Sequence, residues 1–205
     1  MASIPANPVT RERFEQGMTY DEFKAQMTRN QERFTSNESN LALGHDDLET
    51  FRRLPRPLQV LVLAEDWCGD VVDNLPILGR LAAESSKLDL RIFLRDQHPE
   101  LMDNYLNRGE FRSIPVFVFF DEDFNEIGRF IERPESVTAR RADQRRALSE
   151  QYPDLGDPTT PVGQLPEEAR VRLTELLAER RAQSKPLDNQ EVVRALRDIV
   201  ERADS

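Results

Sequence analysis

The stretch Trp67-Cys68-Gly69-Asp70-Val71 holds the one cysteine of a 205-residue chain. A thiolate can attack a substrate disulfide, and a second thiol three residues later can then release the mixed intermediate. Here that later position holds Val71, so the release step has no internal thiol. Cys68 alone could attack and then wait for an external one. Apolar residues recur at helical spacing after it (Val72, Leu75, Leu78, Leu81). This places the sulfur at a helix N-terminus, where unpaired N–H groups and the helix dipole favour the thiolate. Glu65, Asp66, Asp70 and Asp73 crowd the same neighbourhood and favour the neutral thiol. Arg112, in the loop before Pro115, is the cation within reach. The two influences oppose each other and the sequence does not rank them, so an unreactive, half-buried cysteine stays open.

Other chemistries are poorly supplied. With two histidines and one cysteine, a His/Cys metal site lacks ligands, and none is expected. There is no glycine-rich phosphate loop of the G-x-x-x-x-G-K type. A formal charge of −10 argues against nucleic acid and against anionic membrane as partners. The longest apolar runs are strand-sized, too short to span a bilayer. No basic start followed by an apolar run opens the chain, so no signal peptide is read there. A lone cysteine excludes an internal disulfide and suits a reducing, cytoplasmic location. His98 reads as a helix-start residue and His45 as a loop or cap residue. The basic run at 139–146 reads as a solvated helix face.

The elements that must position Cys68 follow from periodicity. Up to about Gln16 the chain is polar and proline-bearing, and loose order is expected. Thr19 and Glu22 form a capping-box pattern that opens a helix to about residue 35. After a break at 36–44, a short helix carries Leu48, Phe51 and Leu54. Residues 58–64 form an apolar run of the kind buried on both faces of a sheet. A helix over 68–86, a strand at 88–94, a helix from Pro99, and strands at 114–120 and 126–131 joined by a turn follow in order. Strand–helix–strand order favours a parallel pair, and the hairpin adds an antiparallel edge. Helices are expected over about 135–150, 166–183 and 189–202, the last capped by Asp188 and Glu191. The terminal helices carry apolar stripes that could bury against the sheet, each other, a partner or a second copy in a homodimer.

Several separate stretches resemble the thioredoxin family. "WCGDV" is similar to that family's W-C-G-P-C site. Pro76, eight residues after Cys68, stands where the family kinks its active-site helix. "DQHPE" after the "RIFLR" strand, "SIPVFVFF" and the following hairpin fall in the family's order. The likeness is greatest to a bacterial cytosolic group with a W-C-G-D-C site and extra terminal helices. It implies an α/β thioredoxin-like fold, a central mixed sheet flanked by helices, with helical extensions at both ends. The implied organisation is an N-terminal extension (1–45), a thioredoxin-like domain (46–150) and a C-terminal helical extension (151–205).

The resemblance further implies Cys68 as the reactive sulfur. It gives Trp67, Gly69, Asp70, Val71, Ile114 and Pro115 site-shaping or substrate-binding roles, with Pro115 cis and facing the sulfur. Asp70 also has a simpler reading, as a first-turn carboxylate that stabilises the helix start. Trp67 either faces substrate or packs on the sheet. Two departures stand out: Val71 replaces the second thiol, and Val62 stands where the family buries an aspartate. The implied activity is mixed-disulfide formation with protein or small-molecule thiols and disulfides. No cofactor is expected, beyond glutathione or another small thiol as co-substrate. A non-catalytic binding module and a single-cysteine redox sensor are the alternatives.

Overall fold

In a computed structural model that describes residues 9–204, the apolar runs become a four-stranded sheet. The chain divides into two compact units, residues 1–133 with 192–205, and residues 134–191. The first unit opens with α1 (Arg11–Glu15), α2 (Tyr20–Gln26), α3 (Gln31–Ser39) and α4 (His45–Arg52). Then follow β1 (Leu58–Ala64), α5 (Gly69–Ser85), β2 (Leu88–Leu94), α6 (Pro99–Met102), β3 (Val116–Phe120) and β4 (Glu126–Ile131). The strand order is β2-β1-β3-β4. β1 runs parallel to β2 with Val62 opposite Ile92, and antiparallel to β3 with Val62 opposite Phe117. β3 and β4 close the sheet as an antiparallel hairpin. Helices flank this mixed sheet: α2 and α5 pack on β2, and α3 and α4 pack on α5.

All of β3 and all of β1 except Gln59 are buried, the expected fate of strands apolar at every position. The hairpin turn is fixed by Asp121, whose Oδ1 accepts the N–H groups of Asp123 and Asn125, each at 2.9 Å. Gly128 in β4 admits a close neighbour: a Cβ there would lie 3.1 Å from Ile199. Ile199 belongs to the last turns of α8 (Glu167–Val200), whose Val192, Leu196 and Val200 complete the same core.

The capping box predicted at Thr19 and Glu22 is present, with the Glu22 carboxylate accepting the Thr19 N–H at 2.7 Å. Several expectations change. The segment before Gln16, read as loose, holds α1, capped by Thr10, and buries Val9 and Phe14; residues 1–8 of that stretch lie outside the described residues. The single helix expected to residue 35 is two helices. The chain leaves α2 at Met27 and enters α3 through Asn30 at φ 56°, because the Thr28 and Arg29 N–H groups turn to the Asp66 carboxylate instead. The helices expected at 166–183 and 189–202 are one, α8, which runs through Pro186.

The second unit contains α7 (Glu135–Gln151), two short 3-10 turns and most of α8, around Leu148, Leu155 and Leu173. Asp188, expected to cap a helix, is paired with Arg140 and accepts from Ser184 at 3.1 Å. The basic face read as solvated is partly buried. Arg145 is 9% exposed and donates to the Asp157 carbonyl at 3.3 Å.

Candidate functional site

Cys68 is the N-cap residue of α5, on extended backbone between the end of β1 and the first helical turn. Its own N–H reaches back to the Glu65 carbonyl at 3.2 Å, and its carbonyl accepts the Val72 N–H at 3.1 Å. The N–H groups of Val71 and Asp70 point at the sulfur and favour its ionised form. Across the site the peptide between Ile114 and Pro115 is cis, and the Cys68 thiol donates to the Ile114 carbonyl at 3.5 Å. The structure therefore brings together Cys68, Ile114 and Pro115, from elements 46 residues apart.

Val71 sits in the first turn with no exposed surface, packed in the core. Gly69 opens the helix, and an Nη of Arg33 lies 3.9 Å from where a Cβ at Gly69 would be. Trp67 is 40% exposed, and the Arg95 guanidinium stacks 4.7 Å from its ring centre. Arg95 is fixed in that place by Asp96, at 2.7 and 2.9 Å, and by the Arg112 carbonyl at 3.2 Å. Arg112 itself, expected to approach the sulfur, is committed to Asp103 through two hydrogen bonds. Arg95 is the cation that acts on Cys68 instead.

The four carboxylates that crowd this stretch of sequence are individually matched. Asp66 accepts the Thr28 N–H at 2.6 Å, the Arg29 N–H at 3.0 Å and the Thr28 hydroxyl at 3.1 Å. Burial pushes its carboxyl up, but these bonds outweigh it and hold the group below its ordinary value. Asp73 pairs with Arg33 at 2.7 Å and accepts from Asn37 at 3.3 Å. Asp70 pairs with Arg133, and both side chains are largely shielded from water. Glu65 is buried and accepts the Asp96 N–H at 2.8 Å. Its carboxyl is raised, first by burial and then by Asp96 and Asp66.

Burial also dominates at the sulfur. It pushes the Cys68 thiol above its ordinary value, against the Val71 and Asp70 N–H groups; Asp70 adds to the rise and Arg95 opposes it. The opposition left open by the sequence is thus decided by desolvation, with the crowd of carboxylates reduced to Asp70. Val62 is fully buried between Ile92 and Phe117, and Glu65 is the buried acid beside the site.

Sequence reasoning missed Arg95 and Arg133. Arg95 directly follows β2, whose C-terminal end lies beside that of β1. Parallel neighbours bring the residues after both strands to one end of the sheet, a usable signal. Arg133 follows the hairpin and carries no comparable signal. Among the described residues, no group of three or more His, Cys, Asp or Glu is placed to hold a metal ion, and no helix is long and apolar enough to cross a membrane.

A parallel β1–β2 pair, an antiparallel hairpin and a cysteine at a helix start facing a cis-proline define a protein of thioredoxin-like fold. A thioredoxin family model matches residues 17–162, and the chain belongs to that family. No curated protein matches it. Among solved structures it is similar to an HIV epitope-scaffold, 21% identical with a TM-score of 0.63, over 93% of this chain and 96% of that one. It is also similar to a protein of unknown function from Pseudomonas aeruginosa, 21% identical with a TM-score of 0.57, over 83% of this chain and 96% of that one. These likenesses show the fold.

Proposed function

We propose that this chain is a one-cysteine relative of the W-C-G-D-C group, with Val71 in the second thiol's place, and that it forms mixed disulfides through Cys68. The observation that carries the reading is the seat of the sulfur, which two N–H groups of α5 address on one side and the Ile114 carbonyl faces on the other. In the resting state the thiol donates to that carbonyl. The reacting species is the thiolate, which the Val71 and Asp70 N–H groups stabilise. It attacks one sulfur of a disulfide RSSR; the new Cys68–SR bond forms as the RS–SR bond breaks, and RS⁻ leaves with the electron pair. Val71 offers no thiol to reverse the linkage, so the intermediate waits for an external thiol. That thiol, as R′S⁻, attacks the substrate-derived sulfur; an R′S–SR bond forms as the Cys68–SR bond breaks, and Cys68 leaves as thiolate with the electron pair. Glutathione is a suitable small thiol, and Trp67, Gly69, Ile114 and Pro115 would line the partner's approach.

The test is intact-mass spectrometry after incubation with glutathione disulfide at pH 8.5. One glutathionyl adduct per chain is expected, absent in Cys68→Ser and removed by added thiol. A wild-type chain that stays unmodified contradicts the reading. A second reading, a binding module without turnover, draws on the raised thiol. It predicts no adduct together with retained affinity for a cysteine-free extended peptide.

A further inference from the structure

β4 ends in an unusual turn. The Arg133 N–H donates to the Ile131 carbonyl at 2.8 Å, a γ-turn whose central residue, Glu132, stands at φ 63°. A positive φ at a side chain as large as glutamate is strained, and such strain persists where the surroundings over-determine it. The surroundings do so here. The Glu132 N–H donates to the Pro115 carbonyl at 2.7 Å, and its own carbonyl accepts from the buried Asn74 of α5 at 2.8 Å. Its carboxylate accepts from Asn107 at 2.9 Å, and Asn107 also donates to Ser113 at 3.2 Å. One strained residue thus ties α5, Pro115 and the loop before it together.

The same turn aims Arg133 at the first turn of α5. Its guanidinium bonds the Asp70 carboxylate and reaches Glu132 at 2.8 Å. With Asp70 16% and Arg133 20% exposed, solvent screens this pair little. Asp70 is two residues from Cys68 and donates one of the N–H groups that address the sulfur.

We propose that Arg133 is a positioning residue for Cys68: carried to α5 by the Glu132 turn, it fixes and neutralises the Asp70 carboxylate beside the sulfur. This rests on the thiolate chemistry proposed above. Asp70 is then the helix-start carboxylate whose repulsion of an anion forming next to it is reduced by its partner, though not removed. The other charges around the sulfur have separate partners: Arg95 with Asp96, Asp73 with Arg33, Asp66 with the N–H groups of Thr28 and Arg29, and Glu65 with the Asp96 N–H.

The experiment is the pH dependence of Cys68 alkylation by iodoacetamide, a neutral reagent that reads the thiolate whether or not mixed disulfides form. Failure here is therefore distinguishable from failure of the glutathione test. Arg133→Gln is expected to move the labelling midpoint upward and slow labelling at pH 7.5 several-fold, while Arg133→Lys largely keeps the wild-type profile. Asp70→Asn is expected to move the midpoint downward, and Asp70→Asn/Arg133→Gln to lose the slowing of the single Arg133 variant. An unmoved midpoint in folded Arg133→Gln, or equal slowing in the double variant, overturns the proposal. If Arg133→Gln does not fold, Asp70→Asn decides: a midpoint unchanged or raised overturns it.

Discussion

The two ends of the sheet carry similar charges and treat them differently. At the end that holds Cys68, Asp66, Asp70 and Asp73 each reach across to another element, and each is at least half covered. At the other end, Asp121 folds its own turn, and Glu122 pairs with Arg56 while 50% and 66% of their side chains stay exposed. Carboxylates at the far end close a local loop or solvate the surface. Those at the sulfur end anchor the helical segment α2–α3 and the end of β4 around one thiol. Composition cannot distinguish these uses; burial and partner do.

The largest expected effect comes from giving the sulfur end its missing thiol. Val71→Cys places a second thiol one helical turn from the first. It should convert a chain with no internal resolving thiol into one that turns over insulin disulfides repeatedly with a dithiol reductant. No turnover in a folded variant would direct attention to Val62 and to the raised Cys68.

Next come Asp66 and Asp121, which accept backbone N–H groups at the two ends of the sheet. Asp66→Ala abandons two N–H donors in the connection between α2 and α3, at an expected cost of about 2 kcal/mol in urea unfolding. Asp121→Ala should cost about 1 kcal/mol, since its bonds are local to an exposed turn. Equal losses would erase the contrast between the two ends.

The pH dependences have opposite signs at Asp66 and its neighbour Glu65. The Asp66 carboxyl lies below its unfolded value, so the folded chain releases that proton first. Its stabilisation is present above the ordinary aspartate range and is lost as pH falls through the folded value. Glu65 lies above its unfolded value, so ionising it in place weakens the fold as pH rises through that window. Glu65→Gln keeps an acceptor for the Asp96 N–H. It should raise stability at pH 8 and change little at pH 4. Greater destabilisation at pH 8 than at pH 4 would contradict the sign. Smallest of all, Arg56→Gln at the exposed pair should cost under about 0.5 kcal/mol, vanishing in 1 M salt.

Much of this was legible in the sequence because it is local. Apolar runs gave β1 to β4, Thr19 and Glu22 marked a helix start, and the stretch from Trp67 with Ile114 and Pro115 pointed to the fold. What was not legible depends on partners far along the chain. The break at 27–30 exists because Asp66 takes the N–H groups there, so helical spacing alone reads through it. The two helices expected across 166–202 are one: Pro186 lies inside α8, and one missing hydrogen bond did not end it. The four acidic residues near Cys68 could be counted, but Arg133 and Arg33, which match two of them, come from 63 and 40 residues away. Arg95 took the place expected for Arg112 because Asp103 holds the latter.

The central claim is that folding buries Cys68 in a seat that keeps it a thiol at rest and ionises it only above the usual range. The direct measurement is the pH midpoint of Cys68 alkylation in the native chain, set against the same chain in denaturant. A native midpoint above the denatured one is the predicted result. A native midpoint below it would mean that the helix start and Arg95 outweigh burial, and would contradict the account.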